Sequence, residues 1–228
     1  MYKNRYIRNK ILTNEEQKLL KNKTVVVFGC GGLGGYIIEE LARIGIGKLI
    51  VCDIDIFKES NLNRQILCKE NDLGREKALV AKERVSEINS EISIESTSEN
   101  LFEDVNKLVF IIKKVDVVVD ALDSIKNKKE LEKVCKECNK ILIHGAIGGW
   151  QGQASTIFPG DNTISKFYGD NIDIEDKLGN PSFTPAIVAS IEVAETIKVL
   201  IGKTNRLLSK KMLVIDLENN DFEVIEMD

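Results

Sequence analysis

The sequence predicts a doubly wound α/β fold of the Rossmann-like kind, with a mainly parallel sheet extended by antiparallel strands near the C-terminus. Three observations predict it. Continuous apolar runs typical of buried parallel strands recur along the chain, beginning at 25–28, and segments with helical periodicity separate them. A cluster of glycines follows the first run directly and opens a helical pattern. Two short apolar runs, 212–217 and 222–226, flank a polar turn and predict a C-terminal hairpin.

Length and composition are those of an ordinary globular protein. The 228 residues are interpreted as one domain, 1–228, with an N-terminal arm at 1–23 and a long polar loop at 159–182. With 43% hydrophobic and 30% charged residues and a net charge of -4, nothing indicates nucleic-acid binding. No apolar run reaches the roughly 18 residues of a membrane span. Five cysteines with one close pair do not form a disulfide framework, so a cytoplasmic protein is expected.

The segment 24–53 contains a strand, a glycine turn, a helix, a second strand and a terminal acid, in that order. The glycines at Gly29, Gly31 and Gly32 let the backbone turn tightly and approach a ligand closely. The free amides at the start of the following helix, together with its dipole, favour an anion, most often phosphate. Asp53 follows the second strand where a ribose hydroxyl would lie. The pattern predicts a nucleotide site without separating NAD from ATP.

A polar segment follows at the carboxyl edge of the predicted sheet, where ligands bind in open α/β folds. Asn61 and Asn63, after Ser60, are candidate nucleotide ligands, and Arg64 has the geometry to bind a phosphate with two hydrogen bonds. Without the preceding glycines, a plain surface loop would be the favoured interpretation. Lys77 lies in the first turn of the next predicted helix, where it either serves a phosphate or is simply solvated.

Two aspartates follow another apolar strand, 115–120. Asp120 ends this strand and Asp123 comes three residues later, both near the predicted glycine turn. A carboxylate beside a triphosphate is a typical Mg²⁺ ligand. The alternative role for one of the two is to cap the helix predicted at 125–138.

The cysteines give a weak signal for a metal or a reactive thiol. Cys135 and Cys138 form a CxxC pair, but a structural zinc site needs four ligands and the sequence holds no second pair. Cys68 lies in a plausibly mobile segment beside the ligand, near Arg64 and Lys69, so it is the one candidate for a reactive thiol.

Taken together, the motifs resemble those of the MoeB/ThiF/HesA adenylyltransferases, bacterial relatives of ubiquitin-activating enzymes. The resemblance runs from Arg5 to the C-terminal hairpin, and SNLNRQ is its most specific part. The matching motifs, in order, are RYIRNKIL, GCGGLG, SNLNRQ, LGREK, DALD and GAIGGWQGQ.

The resemblance implies a reaction and its components. ATP would adenylylate the C-terminal Gly-Gly carboxylate of a small ubiquitin-like sulfur carrier of the MoaD or ThiS type, with Mg²⁺, and pyrophosphate would leave. The product would serve molybdopterin- or thiamine-type sulfur transfer. Catalysis of this kind would depend on positioning and charge neutralisation.

The resemblance also assigns residues and a homodimer. Gly32, with Gly29 and Gly31, would contact the nucleotide, and Asp53 would bind ribose. Asp123 rather than Asp120 would bind Mg²⁺, and Arg8 would reach the ATP of the partner subunit. The remaining residues expected around the nucleotide are Ser60, Asn61, Asn63, Arg64, Lys77 and Ser124.

The sequence departs from the family pattern in three places. Ser124 stands where many members have asparagine, and the loop 159–181 holds no cysteine. The sequence ends at Asp228 without the second CxxC that many members carry. Structural zinc and a persulfide link to the carrier are therefore not expected.

Two other functions remain open at this stage. A nicotinamide-dependent oxidoreductase fits Gly29, Gly31 and Asp53, although hydride transfer gives Arg64 and Asp123 no role. A non-catalytic, nucleotide-dependent binding module is the other alternative. The identity of the carrier, and hence the pathway, is not encoded in these motifs.

Overall fold

The computed structural model describes residues 4–169 and 178–227. Within them, eight strands form one sheet in the order β3-β2-β1-β4-β5-β6-β7-β8. The strands are β1 (Thr24–Phe28), β2 (Lys48–Cys52), β3 (Ser93–Thr97), β4 (Val117–Asp120), β5 (Ile141–Gly148), β6 (Gln151–Ile157), β7 (Lys211–Asp216) and β8 (Asp221–Glu226). The helices are α1 (Asn14–Leu20), α2 (Gly32–Ile44), α3 (Lys77–Ile88), α4 (Val105–Lys113), α5 (Ile125–Glu137), α6 (Thr163–Tyr168) and α7 (Phe183–Leu200).

The sheet has a parallel half and an antiparallel half. Strands β3, β2, β1, β4 and β5 run parallel, and β6, β7 and β8 continue the sheet in antiparallel fashion. The predicted fold class is confirmed. Because β1 lies between β2 and β4, the order of the strands reverses beside it, and ligands of such sheets bind at this point, above the carboxyl ends.

Both faces of the parallel half are covered, which explains why its strands are continuously apolar. Along β1, Val25 and Val27 enter a core covered by α2, α3 and α7. Val26 and Phe28 enter a second core, covered by α4, α5 and α6. Helices therefore pack on both faces of this part of the sheet. The loops at its carboxyl edge follow strands that are fixed by this packing.

The N-terminal arm packs on its own chain. The guanidinium of Arg5 donates to the carbonyl of Ile88 at 2.6 Å. The hydroxyl of Tyr6 accepts from the side-chain amide of Asn89 at 2.9 Å and lies against Gly45, which has a positive φ of 92°. The arm is thus anchored where α2 and α3 end.

Helix α4 begins at Val105 because the Asp104 side chain accepts the amides of Asn106 and Lys107 and caps the helix there. The polar loop expected over 159–182 contains α6, and its residues 170–177 lie outside the described ranges. Among the helices that the structure describes, none combines the length and apolar character needed to cross a bilayer.

Candidate active site

A cavity of about 440 Å³ lies over the carboxyl ends of β1, β2 and β4, at the point where the strand order reverses. Sites for small molecules in proteins typically measure roughly 300–1,000 Å³. Its walls come from the glycine turn, the ends of β2, β3 and β4, and the polar segment after β2. The lining residues are Phe28, Gly29, Gly31, Gly32, Leu33, Cys52, Asp53, Ile54, Asp55, Arg64, Gln65, Lys77, Glu99, Asn100, Leu101, Phe102, Ala121, Leu122, Asp123, Asn127, Ile147 and Asn180.

The glycine turn forms the floor of the cavity. Gly29 has a φ of 99°, and a Cβ there would overlap the carbonyl of Ala121, so only glycine fits. Gly31 is the N-cap of α2 and provides no side-chain cap. Because the first amides of a helix lack partners within the helix, those of α2 are available to an anion above Gly31 and Gly32.

Two backbone amides hold the carboxylate of Asp53, one of them in the glycine turn. One carboxylate oxygen accepts the amide of Cys30 at 2.6 Å, and the other accepts the amide of Asp55 at 2.8 Å. Burial raises the pKa of the Asp53 carboxyl, although the nearby Lys77 and the two amides act in the opposite direction. The side chain still lines the cavity, where its remaining lone pairs can accept ribose hydroxyls.

Lys77 is the first residue of α3, and its side chain is only 8% exposed. Its ammonium lies 2.9 Å from a carboxylate oxygen of Asp55, and its backbone amide donates to the Asp55 carbonyl at 2.9 Å. The helix start is an unfavourable place for a cation, and the Asp55 carboxylate offsets this. Lys77 therefore brings a fixed positive charge to the cavity wall.

Arg64 is oriented by its neighbours in the polar segment. Its guanidinium donates to the carbonyl of Ser60 at 2.9 Å and to the side-chain oxygen of Asn63 at 3.0 Å. Asn63 in turn donates to the carbonyl of Asn180 at 3.2 Å, across the cavity. Within the described chain no carboxylate pairs with Arg64, so its charge is available to a ligand.

Asn61 lies below this surface. It is 8% exposed, and its side-chain oxygen accepts the amide of Lys58 at 2.9 Å, which closes a single 3₁₀ turn. Ser60, Asn61 and Asn63 are not part of the cavity lining. In this structure they shape the segment that carries Arg64.

The two aspartates after β4 are in different environments. Asp120 is completely buried, whereas Asp123 is exposed and lines the cavity. No hydrogen bond or ion pair to Asp123 is found in the described part of the chain. Ser124 is the N-cap of α5, with its hydroxyl oxygen accepting the amide of Asn127 at 3.4 Å. Geometry thus agrees with Asp123, rather than Asp120, as the residue facing a ligand.

The ThiF family model matches residues 2–228. The chain belongs to the ThiF family. The sequence-based recognition of the MoeB/ThiF/HesA group is therefore confirmed.

Curated relatives of this ThiF-family chain carry adenylyltransferase names. The molybdopterin-synthase adenylyltransferase of Haemophilus influenzae is 33% identical over 218 residues, which cover 93% of this chain and 88% of that protein. The SAMP-activating enzyme E1 of Haloferax volcanii is 31% identical over 229 residues, covering 97% and 84%. A probable molybdopterin-synthase adenylyltransferase of Porphyra purpurea is 34% identical over 209 residues, but the chain spans only 54% of its length.

Solved structures of MccB have the same fold as this chain. The structure of E. coli MccB with ATP superposes with a TM-score of 0.83 at 28% identity, and the match covers 98% of this chain and 71% of MccB. MccB with MccA-N7isoASN gives a TM-score of 0.84 at 27% identity, covering 100% and 72%. The predicted membership in an adenylyltransferase family is therefore confirmed, while the roles of individual residues stay predictions.

Arg8 is exposed and lies outside the cavity of its own chain. The neighbouring Tyr6 is anchored at Gly45, the C-cap of α2, whereas the cavity lies at the opposite end of that helix. With 13 residues, α2 is about 20 Å long. No hydrogen bond or ion pair of the Arg8 side chain is found among the described residues.

Cys68 does not have the environment of a reactive thiol. It is only 9% exposed, and burial together with Asp72 raises the pKa of its thiol, with Lys77 acting more weakly in the opposite direction. The thiol therefore lacks the exposed, electropositive setting that a reactive cysteine needs. Burial likewise raises the pKa of Cys135, whose neighbour in the CxxC pair is Cys138. Across the described ranges, no three His, Cys, Asp or Glu side chains lie close enough to hold a metal ion.

Several cavity residues were not among the sequence-based candidates. The loop Glu99 to Phe102, after β3, forms one wall, and Gln65, Asn127 and Asn180 complete others. The rule that ligands bind at the carboxyl ends of parallel strands could have indicated the loop after β3. Nothing in the sequence pattern marked Asn180, which reaches the cavity through the tertiary fold.

Proposed function

We propose that this ThiF-family chain catalyses the ATP-dependent adenylylation of the C-terminal Gly-Gly carboxylate of a small ubiquitin-like sulfur carrier. One observation carries the proposal. An uncapped helix start, two cations and an exposed carboxylate, contributed by α2, Arg64, Lys77 and Asp123, surround a single cavity. This is the set of groups that a nucleoside triphosphate requires.

ATP fits this arrangement in one orientation. Asp53 would accept the ribose hydroxyls, which directs the phosphates toward the start of α2. The amides above Gly31 and Gly32, with Arg64 and Lys77, would then neutralise the phosphate charge. The solved ATP complex of the structural relative MccB supports a nucleotide in this fold.

Asp123 would hold Mg²⁺. Its exposed carboxylate has no partner in the described chain, and the cation typically binds one or two carboxylates together with substrate phosphates. When bound, the ion supplies charge neutralisation at the phosphate oxygens. The donor chemistry therefore fits, with Asp123 as the protein ligand.

The reaction needs positioning more than covalent help. One oxygen of the carrier carboxylate attacks the α-phosphorus of ATP, the bond from that phosphorus to the bridging oxygen breaks, and pyrophosphate leaves with the electron pair. Arg64 and Lys77 would stabilise the charge that accumulates on the phosphates. Because the attacking group is the carrier carboxylate, no thiol is involved in this step.

The partner assignments form part of the same proposal. Relatives named as adenylyltransferases of molybdopterin synthase and of a sulfur carrier support a carrier of the MoaD or ThiS type. The chain would act as a homodimer, with Arg8 completing the site of its partner. The anchoring of the arm at the far end of α2 supports this, because it keeps Arg8 away from the cavity of its own chain.

The test is the exchange of labelled pyrophosphate into ATP in the presence of Mg²⁺ and each candidate carrier. We expect exchange with a carrier ending in Gly-Gly and none with the same carrier lacking these two residues. Asp123→Asn should abolish most of the exchange while melting at the wild-type temperature. Absence of exchange with every carrier, together with tight binding of NAD, would instead indicate an oxidoreductase. ATP-dependent carrier binding without exchange would indicate a binding module.

A further inference from the structure

A buried polar cluster lies beneath the cavity and is not explained by the proposed reaction. Asp120 at the end of β4, Lys128 on α5 and His144 on β5 form it. Their side chains are 0%, 1% and 0% exposed, respectively. Burying charged groups is costly unless they are paired, so the cluster requires an explanation.

Asp120 is the centre of the cluster. One carboxylate oxygen accepts the backbone amide of Leu122 at 3.0 Å. The other lies 2.7 Å from Nδ1 of His144, which donates when it carries the proton. The ammonium of Lys128 lies 3.3 Å and 3.4 Å from the two oxygens and donates to the carbonyl of Gly145 at 2.9 Å. Every partner of Asp120 therefore restricts its rotation.

The contact with Leu122 connects the cluster to the cavity. Leu122 lies immediately before Asp123, in the short turn that joins β4 to α5. The far end of the turn is fixed as well, because Ser124 caps α5 and Lys128 follows one turn later on that helix. The Asp120–Lys128 pair thus connects the strand end before the turn to the helix after it.

Another buried acid lies beside the cluster without a hydrogen bond to it. Glu192 on α7 is 0% exposed and packs against Gly145, and neither of its oxygens has a hydrogen-bond partner in the structure. Burial raises the pKa of its carboxyl and the charge of Asp120 adds to this, while the charge of Lys128 acts in the opposite direction. Among the described residues, Asp120 is the acid that forms an ion pair with Lys128.

We propose that Asp120, held by Lys128 and His144, is a positioning residue that fixes the turn bearing Asp123 in the orientation needed for Mg²⁺·ATP. The inference rests on the proposed role of Asp123. It adds two buried side chains, Lys128 and His144, to the groups on which the site depends, although neither touches the cavity.

The first variant is Lys128→Met, with Lys133→Met as the matched control. Lys133 is on the same helix, 62% exposed, and pairs with Glu130 at the helix surface. Amide hydrogen exchange at Leu122 is measured first, in the ligand-free protein. It should accelerate in Lys128→Met and not in Lys133→Met. This readout is independent of any activity, so it tests the positioning even if no carrier is ever adenylylated. Unchanged exchange in a folded Lys128→Met protein would overturn the proposal.

The second readout is the gain in ATP affinity on adding Mg²⁺, measured by calorimetry. In Lys128→Met the gain should fall by about tenfold, since a displacement of about 1 Å can cost up to 10²-fold. Affinity without Mg²⁺ should stay within about twofold, because Arg64 and the α2 amides are untouched. If Mg²⁺ increased the ATP affinity of Lys128→Met as much as that of the wild type, the proposal would be contradicted.

Because Lys128→Met leaves a buried carboxylate without its counterion, it could fail to fold. The double variant Asp120→Leu/Lys128→Met removes both charges and fills the site with apolar side chains of similar size. Leucine has no oxygen that could accept the backbone amide of Leu122. We expect a cooperatively folded protein, fast exchange at Leu122 and a reduced Mg²⁺-linked gain in ATP affinity. Recovery of both readouts along with stability would show that the cluster only supports the fold.

Discussion

The ammonium of Lys77 and the carboxylate of Asp55 face each other at 2.9 Å on the cavity wall. Lys77 is 8% exposed and Asp55 is 54% exposed, so the cation is fixed while the acid can turn toward solvent. A phosphate entering the cavity would replace Asp55 as the partner of Lys77. The Asp55 carboxylate therefore keeps the Lys77 ammonium positioned toward the cavity. Without this partner, the positive end of the helix dipole would disfavour a cation at the first helical residue.

Lys77→Met should weaken ATP binding by about tenfold or more, because a charge-assisted phosphate contact is lost while the apolar stem is kept. Lys82→Met, at an exposed position on the same helix, is the control and should bind like the wild type. Calorimetry with ATP measures both variants. Equal affinities for Lys77→Met and Lys82→Met would remove Lys77 from the nucleotide site.

ATP binding should depend on the ionisation of Asp53. Burial raises the pKa of this carboxyl above its ordinary value of 3.8, and the ionised form is the one that accepts hydrogen bonds. As the pH falls through this raised pKa, affinity should decline earlier than an ordinary aspartate would predict. Titrations between about pH 4.5 and pH 7 measure the decline. Asp53→Asn should bind weakly throughout and show a flatter profile; a profile as steep as that of the wild type would assign the dependence to another group.

Glu192 should make the protein less stable as the pH rises. Burial raises the pKa of its carboxyl well above 4.5, so the folded state keeps a proton that the unfolded chain releases above that pH. Stability contributed by the neutral acid is therefore complete below pH 4.5 and is lost between that pH and the folded-state pKa, by up to about 1.4 kcal/mol per pH unit.

Glu192→Gln cannot titrate at this position. The free energy of unfolding of the variant, relative to that of the wild type, should therefore be higher at pH 8 than at pH 5. The constant cost of the buried amide cancels between the two conditions. Urea denaturation at both pH values gives the difference, and Glu87→Gln at an exposed position of α3 serves as the control. A Glu192→Gln difference that is the same at both pH values would mean that Glu192 is ionised in the folded protein.

Two inactive chains should complement each other if the active site is shared. Arg8→Ala and Arg64→Ala chains should each be weak alone. After subunit exchange, an equal mixture should recover about a quarter of the wild-type activity, since about half the dimers are mixed and each mixed dimer has one intact site. Proven mixed dimers without recovered activity, or a chain that stays monomeric, would show that Arg8 acts in its own chain or not at all.

The glycine-turn side of the cavity was predictable because its signals are local. Gly29 has a positive φ of 99°, which glycine adopts without strain, and Asp53 directly follows the strand after the glycine helix. Apolar runs such as 25–28 located the central strands, because a strand covered on both faces has no polar side.

The supporting structure was not predictable in the same way. Asp120, Lys128 and His144 are 8 to 24 residues apart in sequence and meet only through packing. The charged sequence around Lys128 is typical of a solvent-exposed helix face. The burial of this lysine becomes visible only in the folded structure. The burial of Cys68 was hidden for the same reason, since its segment is polar in sequence yet its side chain packs inward.

The most direct test of the proposed reaction is detection of the acyl-adenylate itself. The protein is incubated with Mg²⁺, ATP and the carrier that supports exchange, and the intact mass of the carrier is measured without reducing agent. We predict a carrier bearing one added AMP at its C-terminal glycine, with an equal amount of pyrophosphate released, and neither product in Asp123→Asn. A carrier of unchanged mass alongside hydrolysis of ATP to ADP and phosphate would contradict adenylylation.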